Sequence, residues 1–126
     1  MRRSDRLRSW RDFERVAASG QRFAARDFVL LVAPPRRDQR RARRGCEGSA
    51  SLRRLGVTVS RRVGGAVVRN RVKRAVRVWF RWSRHGVDGD LDLVVIARRG
   101  AAGLRAAEVA EQLDRLLARR GRDAVR

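Results

Sequence analysis

Apolar residues along the chain change their period several times, and each change marks an element. Trp10, Phe13, Val16 and Ala17 recur at i, i+3, i+6 and i+7, the spacing of one helix face, and Gly20 stops the run. Ser9 is placed to cap this helix, with Asp12 near the positive end of its dipole. Phe28–Ala33 (FVLLVA) is a continuous apolar run of the kind found in buried strands, and Pro34-Pro35 closes it. Arg22–Arg26 fits a short strand before it. From Leu55 to Ser60 the period is two, with Val57 and Val59 alternating with Thr58 and Ser60. Gly64-Gly65 interrupts that pattern. Beyond it, at roughly 100° per residue, Val68, Val72, Ala75, Val76 and Trp79 gather on one helix face. Leu91–Ala97 (LDLVVIA) reads as a further apolar strand, closed by Arg98-Arg99-Gly100. Val109, Leu113, Leu116 and Leu117 mark a last amphipathic helix, with Glu108, Glu111 and Asp114 on its outer side.

The order helix, one or two strands, strand, helix, strand, helix predicts an α+β layer, one sheet with helices packed against it. A chain of 126 residues holds one modest core, so a single domain spanning 1–126 is expected. Three stretches lack an apolar period. Met1–Arg8 is a basic arm, Arg36–Ser51 (RRDQRRARRGCEGSAS) is a long flexible loop, and Arg119–Arg126 is a loose basic tail. The loop either touches nucleic acid or is a solvated insertion.

Charge sharpens this picture. Lys plus Arg total 33 against 13 Asp plus Glu, a net charge of +20, which speaks to partners and points first to nucleic acid. Lys73 is the single lysine, so the positive charge is nearly all arginine. Arginine suits RNA through its planar paired donors and its stacking, although codon bias accounts for much of the imbalance. The charge is also placed on one side. Asn70, Lys73, Arg74, Arg77 and Arg81 lie opposite the apolar face of the second helix, Arg69 and Arg71 flank the seam, and no acidic residue occurs between Leu55 and Trp82. Arg69, Lys73 and Arg77 stack at i, i+4 and i+8, and like charges at that spacing cost each other roughly 0.2–0.5 kcal/mol per pair. A solvated face normally mixes both signs, so this one is built to meet a polyanion.

Self-sufficient catalysis is not indicated. Cys46 and His85 each stand alone, which excludes a disulfide framework and leaves no zinc ligand set. Asp88, Asp90 and Asp92 alternate around a glycine-bearing turn without the closing glutamate of a calcium loop, and turn solvation at the start of a strand explains them. Arg61-Arg62-Val63-Gly64-Gly65 lacks the spacing of a phosphate-binding loop. The N-terminus MRRSDRLRSW carries no apolar segment behind its charges and no run reaches membrane-spanning length, so a cytoplasmic location is the expectation.

The run Arg69-Asn70-Arg71-Val72-Lys73-Arg74, with Arg77 following, resembles the RNR helix of the protein subunits of bacterial ribonuclease P. LGVTVSRRVGGAVV before it, LDLVVIARRG after it and RLRSWRDFERVAASG at the start are similar to that family's flanking strands and first helix, so the likeness covers roughly residues 6 to 118. The resemblance implies an α-β-β-β-α-β-α order, a four-stranded sheet packed by helices, and a left-handed βαβ crossover against the right-handed default. It implies a subunit of the endoribonuclease that removes the 5′ leader of pre-tRNA in a Mg²⁺-dependent reaction, with the catalytic site in the RNA subunit and no catalytic or metal-binding residue in this chain.

The partners implied are the catalytic RNA and the pre-tRNA leader. Neither a membrane nor an obligate protein partner is expected. Carried onto this sequence, Arg69, Asn70, Arg71, Lys73, Arg74 and Arg77 meet the catalytic RNA, and Arg61 and Arg62 bind phosphates at the end of the strand. Phe13 joins a leader cleft between the first helix and the sheet, where a stacked ring tolerates any base. On composition alone a core aromatic is the better reading of Phe13. Two positions depart from the pattern of some relatives, which carry aromatics where this chain has Ala17 and Leu31. Two further readings compete: a structural RNA-binding protein of ribosomal type, and a DNA-binding or nucleoid protein.

Overall fold

The computed structural model of the chain describes residues 10–34, 53–83 and 91–124. Its elements run α1 (Trp10–Ser19), β1 (Gln21–Ala24), β2 (Phe28–Ala33), β3 (Arg53–Val59), α2 (Ala66–Ser83), β4 (Leu91–Ala97), a short 3₁₀ helix (Arg99–Gly103) and α3 (Ala106–Ala124). The strands form one mixed sheet in the order β1-β2-β4-β3. β1 with β2 and β2 with β4 are antiparallel, whereas β3 and β4 run parallel and are joined through α2. This is the α+β class and the element order expected above.

The alternation of side chains sorts the sheet into two faces. Phe28, Leu30 and Val32 of β2, Leu91, Leu93 and Val95 of β4 and Leu55 of β3 point to one face, where Val72, Val76, Trp79 and Phe80 of α2 and Val109, Leu113 and Leu116 of α3 close over them. This is the main core, and each large side chain fully buried there contributes about 1.5–3 kcal/mol. Val29, Leu31, Ala33 and Val94 point to the other face, where, among the described elements, α1 packs through Val16 and, in part, Phe13. Thr58 of β3 is exposed on this face.

The termini of the elements have local causes. Gly20 ends α1 through a close approach: a Cβ there would collide with the carbonyl oxygens of Val16 and Val32. Its amide bonds to the Val16 carbonyl at 2.8 Å. At the start of α3 the Glu108 carboxylate accepts the Arg105 amide at 3.1 Å, the acidic half of a capping box.

Several expectations need correction. β3 begins at Arg53, two residues before the alternation is visible, because its first residues pair with β4. Phe80 joins the buried face of α2. The chain after β4 forms a 3₁₀ turn, where only a strand stop was expected. The stretch 119–124, read as part of a loose tail, continues α3, and Arg119 donates to the Ala24 carbonyl at 3.0 Å. Ser9, the arm 1–8, the whole loop 36–51 with its flanks, His85 and the last two residues lie outside the described residues.

Candidate nucleic-acid interface

Helix α2 carries the cations that the sequence singled out. Its inner arc is fixed by Val72, Val76, Trp79 and Phe80. Asp114 of α3 locks its C-terminal end, accepting from Trp79 Nε1 at 2.8 Å and from Ser83 Oγ at 3.3 Å. Asp114 is thus a tether between helices as well as part of an outer acidic face. With the inner arc buried, Asn70, Arg71 and Arg74 are exposed and Arg69, Lys73 and Arg77 are half-buried. Arg69 lies nearest the seam, and its Nε is buried without a hydrogen-bond partner. Arg71 reaches across to donate to the Ala102 carbonyl of the 3₁₀ turn. Among the described residues no salt bridge reaches Arg69, Lys73, Arg74 or Arg77.

The second region lies on the other face of the sheet. The Phe13 ring rests directly on β3: a Cβ at Gly56 would stand 2.5 Å from Phe13 Cζ. Only a glycine lets the ring approach so closely. Phe13 is half-buried, with the Cζ end of its ring toward Gly56. Beyond it, in the next cross-strand row, Thr58 pairs with Ile96; Thr58 is exposed and Ile96 half-buried. Phe13, Gly56, Thr58 and Ile96 share the sheet face on which α1 packs, and this strip beside α1 is the candidate trough. Leu31 is buried beneath α1 and Ala17 is exposed, so neither adds a ring to the trough. Arg61 and Arg62 are exposed in the turn after β3, at the Thr58 end of the strand and just ahead of α2. The topology therefore places Arg61 and Arg62 on the path from the trough to the cationic helix.

A buried ionic cluster, missed in the sequence, holds α1 against this face. Asp92 has no exposed surface and accepts from Arg54 Nε at 2.9 Å and Nη2 at 2.8 Å. Arg15 of α1 donates to the same carboxylate. Asp12 of α1 lies 3.5 Å from Arg54 Nη2 and 3.6 Å from Arg15 Nη2. Burial alone would lower the Arg54 pKa, but its hydrogen bonds and attraction to Asp92, with a smaller contribution from Asp12, more than offset this and hold it above its ordinary value. Asp92 is therefore an anchor, not a solvated turn residue; Asp88 and Asp90 lie outside the described residues. The available signal was a lone carboxylate inside the apolar run LDLVVIA.

No three His, Cys, Asp or Glu side chains among the described residues gather so as to hold a metal ion. Asp12 and Asp92 face guanidinium groups. The described residues of this chain do not fit a Mg²⁺ site. Among them, too, no helix is long and apolar enough to cross a membrane.

A model of the ribonuclease P protein family, described as "Ribonuclease P", matches residues 1–121. The chain belongs to the ribonuclease P protein family. It is 39% identical over 117 residues to the ribonuclease P protein component of Shouchella clausii, spanning 93% of this chain and 86% of that relative. Among solved structures it is similar to the RNase P protein of Staphylococcus aureus, with a TM-score of 0.75 at 28% identity over 92% of this chain and 94% of the other. The Thermotoga maritima RNase P protein gives a TM-score of 0.72 at 30% identity, over 90% and 96% of the two chains. As a ribonuclease P protein component the chain is a subunit of the enzyme that processes tRNA 5′ ends, and its partner is the ribonuclease P RNA. The RNR signature thus marks family membership as well as a charged surface.

Proposed function

We propose that α2 binds the catalytic RNA through Asn70, Arg71, Lys73, Arg74 and Arg77, with Arg69 at the edge of the contact. The trough of Phe13, Gly56, Thr58 and Ile96 takes the single-stranded 5′ leader of pre-tRNA, and Arg61 and Arg62 bind phosphates where the two surfaces meet. The observation that carries this reading is the one-sided cationic arc of α2, which no acidic side chain among the described residues neutralises. Such an arc exchanges condensed counterions for phosphates, and neutralising about six phosphates of a single strand gives a log–log salt slope near −4. An aromatic side chain such as Phe13 offers a sequence-tolerant stacking contact, as a leader of any sequence requires.

In this reading the chain performs no bond-breaking step. It neutralises phosphate charge, orients the leader and so assists Mg²⁺-dependent hydrolysis at the mature 5′ end. The Mg²⁺ ions are held by the RNA subunit and the substrate phosphates. The test is a leader-length series: binding of pre-tRNA and of leaderless tRNA to the RNA subunit, with and without this chain. The chain should tighten binding of leader-bearing substrate and leave leaderless tRNA nearly unaffected. Equal tightening of both would remove the leader from the trough.

A further inference from the structure

The exposed large apolar side chains among the described residues are Val67 at 83%, Val78 at 46% and Trp82 at 77%, and all lie on α2. At roughly 100° per residue they fall with Arg71 and Arg74 in one arc about 80° wide. The purely polar arc of Asn70, Lys73, Arg77 and Arg81 lies beside it, so the exposed surface of α2 has two chemically different halves. On the mixed half Arg71 donates to the Ala102 carbonyl of the 3₁₀ turn, beside the start of α3. Between the helices runs a groove of about 450 Å³ with Val78, Leu104 and Val109 on its floor and Arg71, Arg74 and Arg105 on its rim. No acidic side chain lines it.

Binding of phosphates alone requires no apolar surface. An apolar floor between guanidinium groups matches a flat, largely apolar ring tethered to an anion, which is the chemistry of an unpaired nucleotide. The groove volume lies within the roughly 300–1,000 Å³ of small-molecule sites. Trp82 stands one helical turn beyond Val78, about 6 Å along the axis, and offers a second stacking surface. We propose that this groove and Trp82 receive unpaired nucleotides of the catalytic RNA subunit, bases on Val78, Leu104 and Trp82, phosphates on Arg71, Arg74 and Arg105. This rests on the reading that α2 faces that RNA.

The test uses the full chain and the catalytic RNA of the same organism. Val78→Ser, Trp82→Ala and Arg105→Ala are compared with the unaltered chain by binding across a salt series and by chemical probing of unpaired bases. Val78 and Trp82 are exposed, and circular dichroism checks that the variants fold. Trp82→Ala should weaken binding about tenfold, the scale of one lost base–aromatic stack. Its salt slope should be unchanged, because no phosphate contact is removed. Arg105→Ala should reduce the slope by about 0.7. One or two unpaired bases protected by the unaltered chain should regain reactivity with Trp82→Ala or Val78→Ser. If the unaltered chain binds with a steep salt slope and these two variants bind and protect equally well, the nucleotide site is refuted while the role of α2 stands. If the unaltered chain does not bind the RNA, both fall. If the two variants instead abolish self-association of the RNA-free chain and leave RNA affinity intact, the surface is a protein interface and the proposal is overturned.

Discussion

Asp92→Asn removes the one fully buried charge of the cluster while keeping the shape of the side chain. In the native chain the carboxylate accepts two bonds from Arg54, at 2.9 and 2.8 Å, and a further one from Arg15. An amide offers one oxygen, and its NH₂ group would face a guanidinium that only donates. Arg54, itself 7% exposed, would then keep Asp12 as its remaining anionic neighbour, at 3.5 Å. Removing one partner of a buried pair costs about 3–5 kcal/mol. Arg15 keeps 24% of its side-chain exposure and can turn toward water, which places the cost near the lower end, about 3 kcal/mol. With an unfolding entropy of about 2.1 cal/mol/K per residue, 126 residues give roughly 0.26 kcal/mol/K, and Tm should fall by roughly 11 °C.

Thermal and urea unfolding followed by circular dichroism read this directly. Replacing both charges with apolar residues, Arg54→Met with Asp92→Leu, should destabilise less than Asp92→Asn alone, because no buried charge is left without its counter-charge. Since the cluster fixes α1, and α1 carries Phe13, Asp92→Asn should also weaken leader binding and leave affinity for the RNA subunit nearly unchanged. A Tm loss under about 3 °C, or a double variant less stable than the single one, would contradict a structural role for the buried charge of Asp92. The raised Arg54 pKa adds a sign. Stability from its pairing is present below its unfolded pKa and is lost only as pH rises through the higher folded value. Arg54 should therefore contribute no pH dependence across the neutral range.

Gly56→Val forces a side chain into the space of the Phe13 ring and should cost about 1–3 kcal/mol in urea unfolding and weaken leader binding; an unaffected trough would contradict the contact. Arg71→Ala with Lys73→Ala should keep the circular dichroism spectrum and flatten the salt slope for single-stranded RNA by about 1.4, with lower cleavage at limiting Mg²⁺ and protein; unchanged activity there would remove these residues from the functional surface. Trp79→Phe deletes the donor to Asp114 and should cost about 1 kcal/mol in the same unfolding assay with RNA affinity intact.

The elements were legible because their periods are clean. FVLLVA and LDLVVIA match β2 and β4 residue for residue, since continuous apolar runs are what strands buried on both faces require. The cationic arc of α2 could be read from angles alone, because Val72, Val76 and Trp79 fix which side turns inward. Contacts between distant segments could not be read this way. Asp92 meets Arg54 and Arg15 across long stretches of chain; its place inside an apolar run hints at burial, but no local pattern names those partners. The tail was read as loose because its charges hide the period, yet α3 continues through Arg119, whose guanidinium bonds to β1. For Phe13 the structure shows packing on Gly56 and half-burial, and contact with the leader stays part of the proposal.

The most direct measurement is reconstitution: the organism's catalytic RNA, a 5′-extended pre-tRNA, and this chain titrated in at low millimolar Mg²⁺. Cleavage at the mature 5′ end should rise with added protein and saturate at a fixed ratio to the RNA subunit. Binding of both RNAs without any gain in cleavage would contradict it and leave a structural RNA-binding protein in its place.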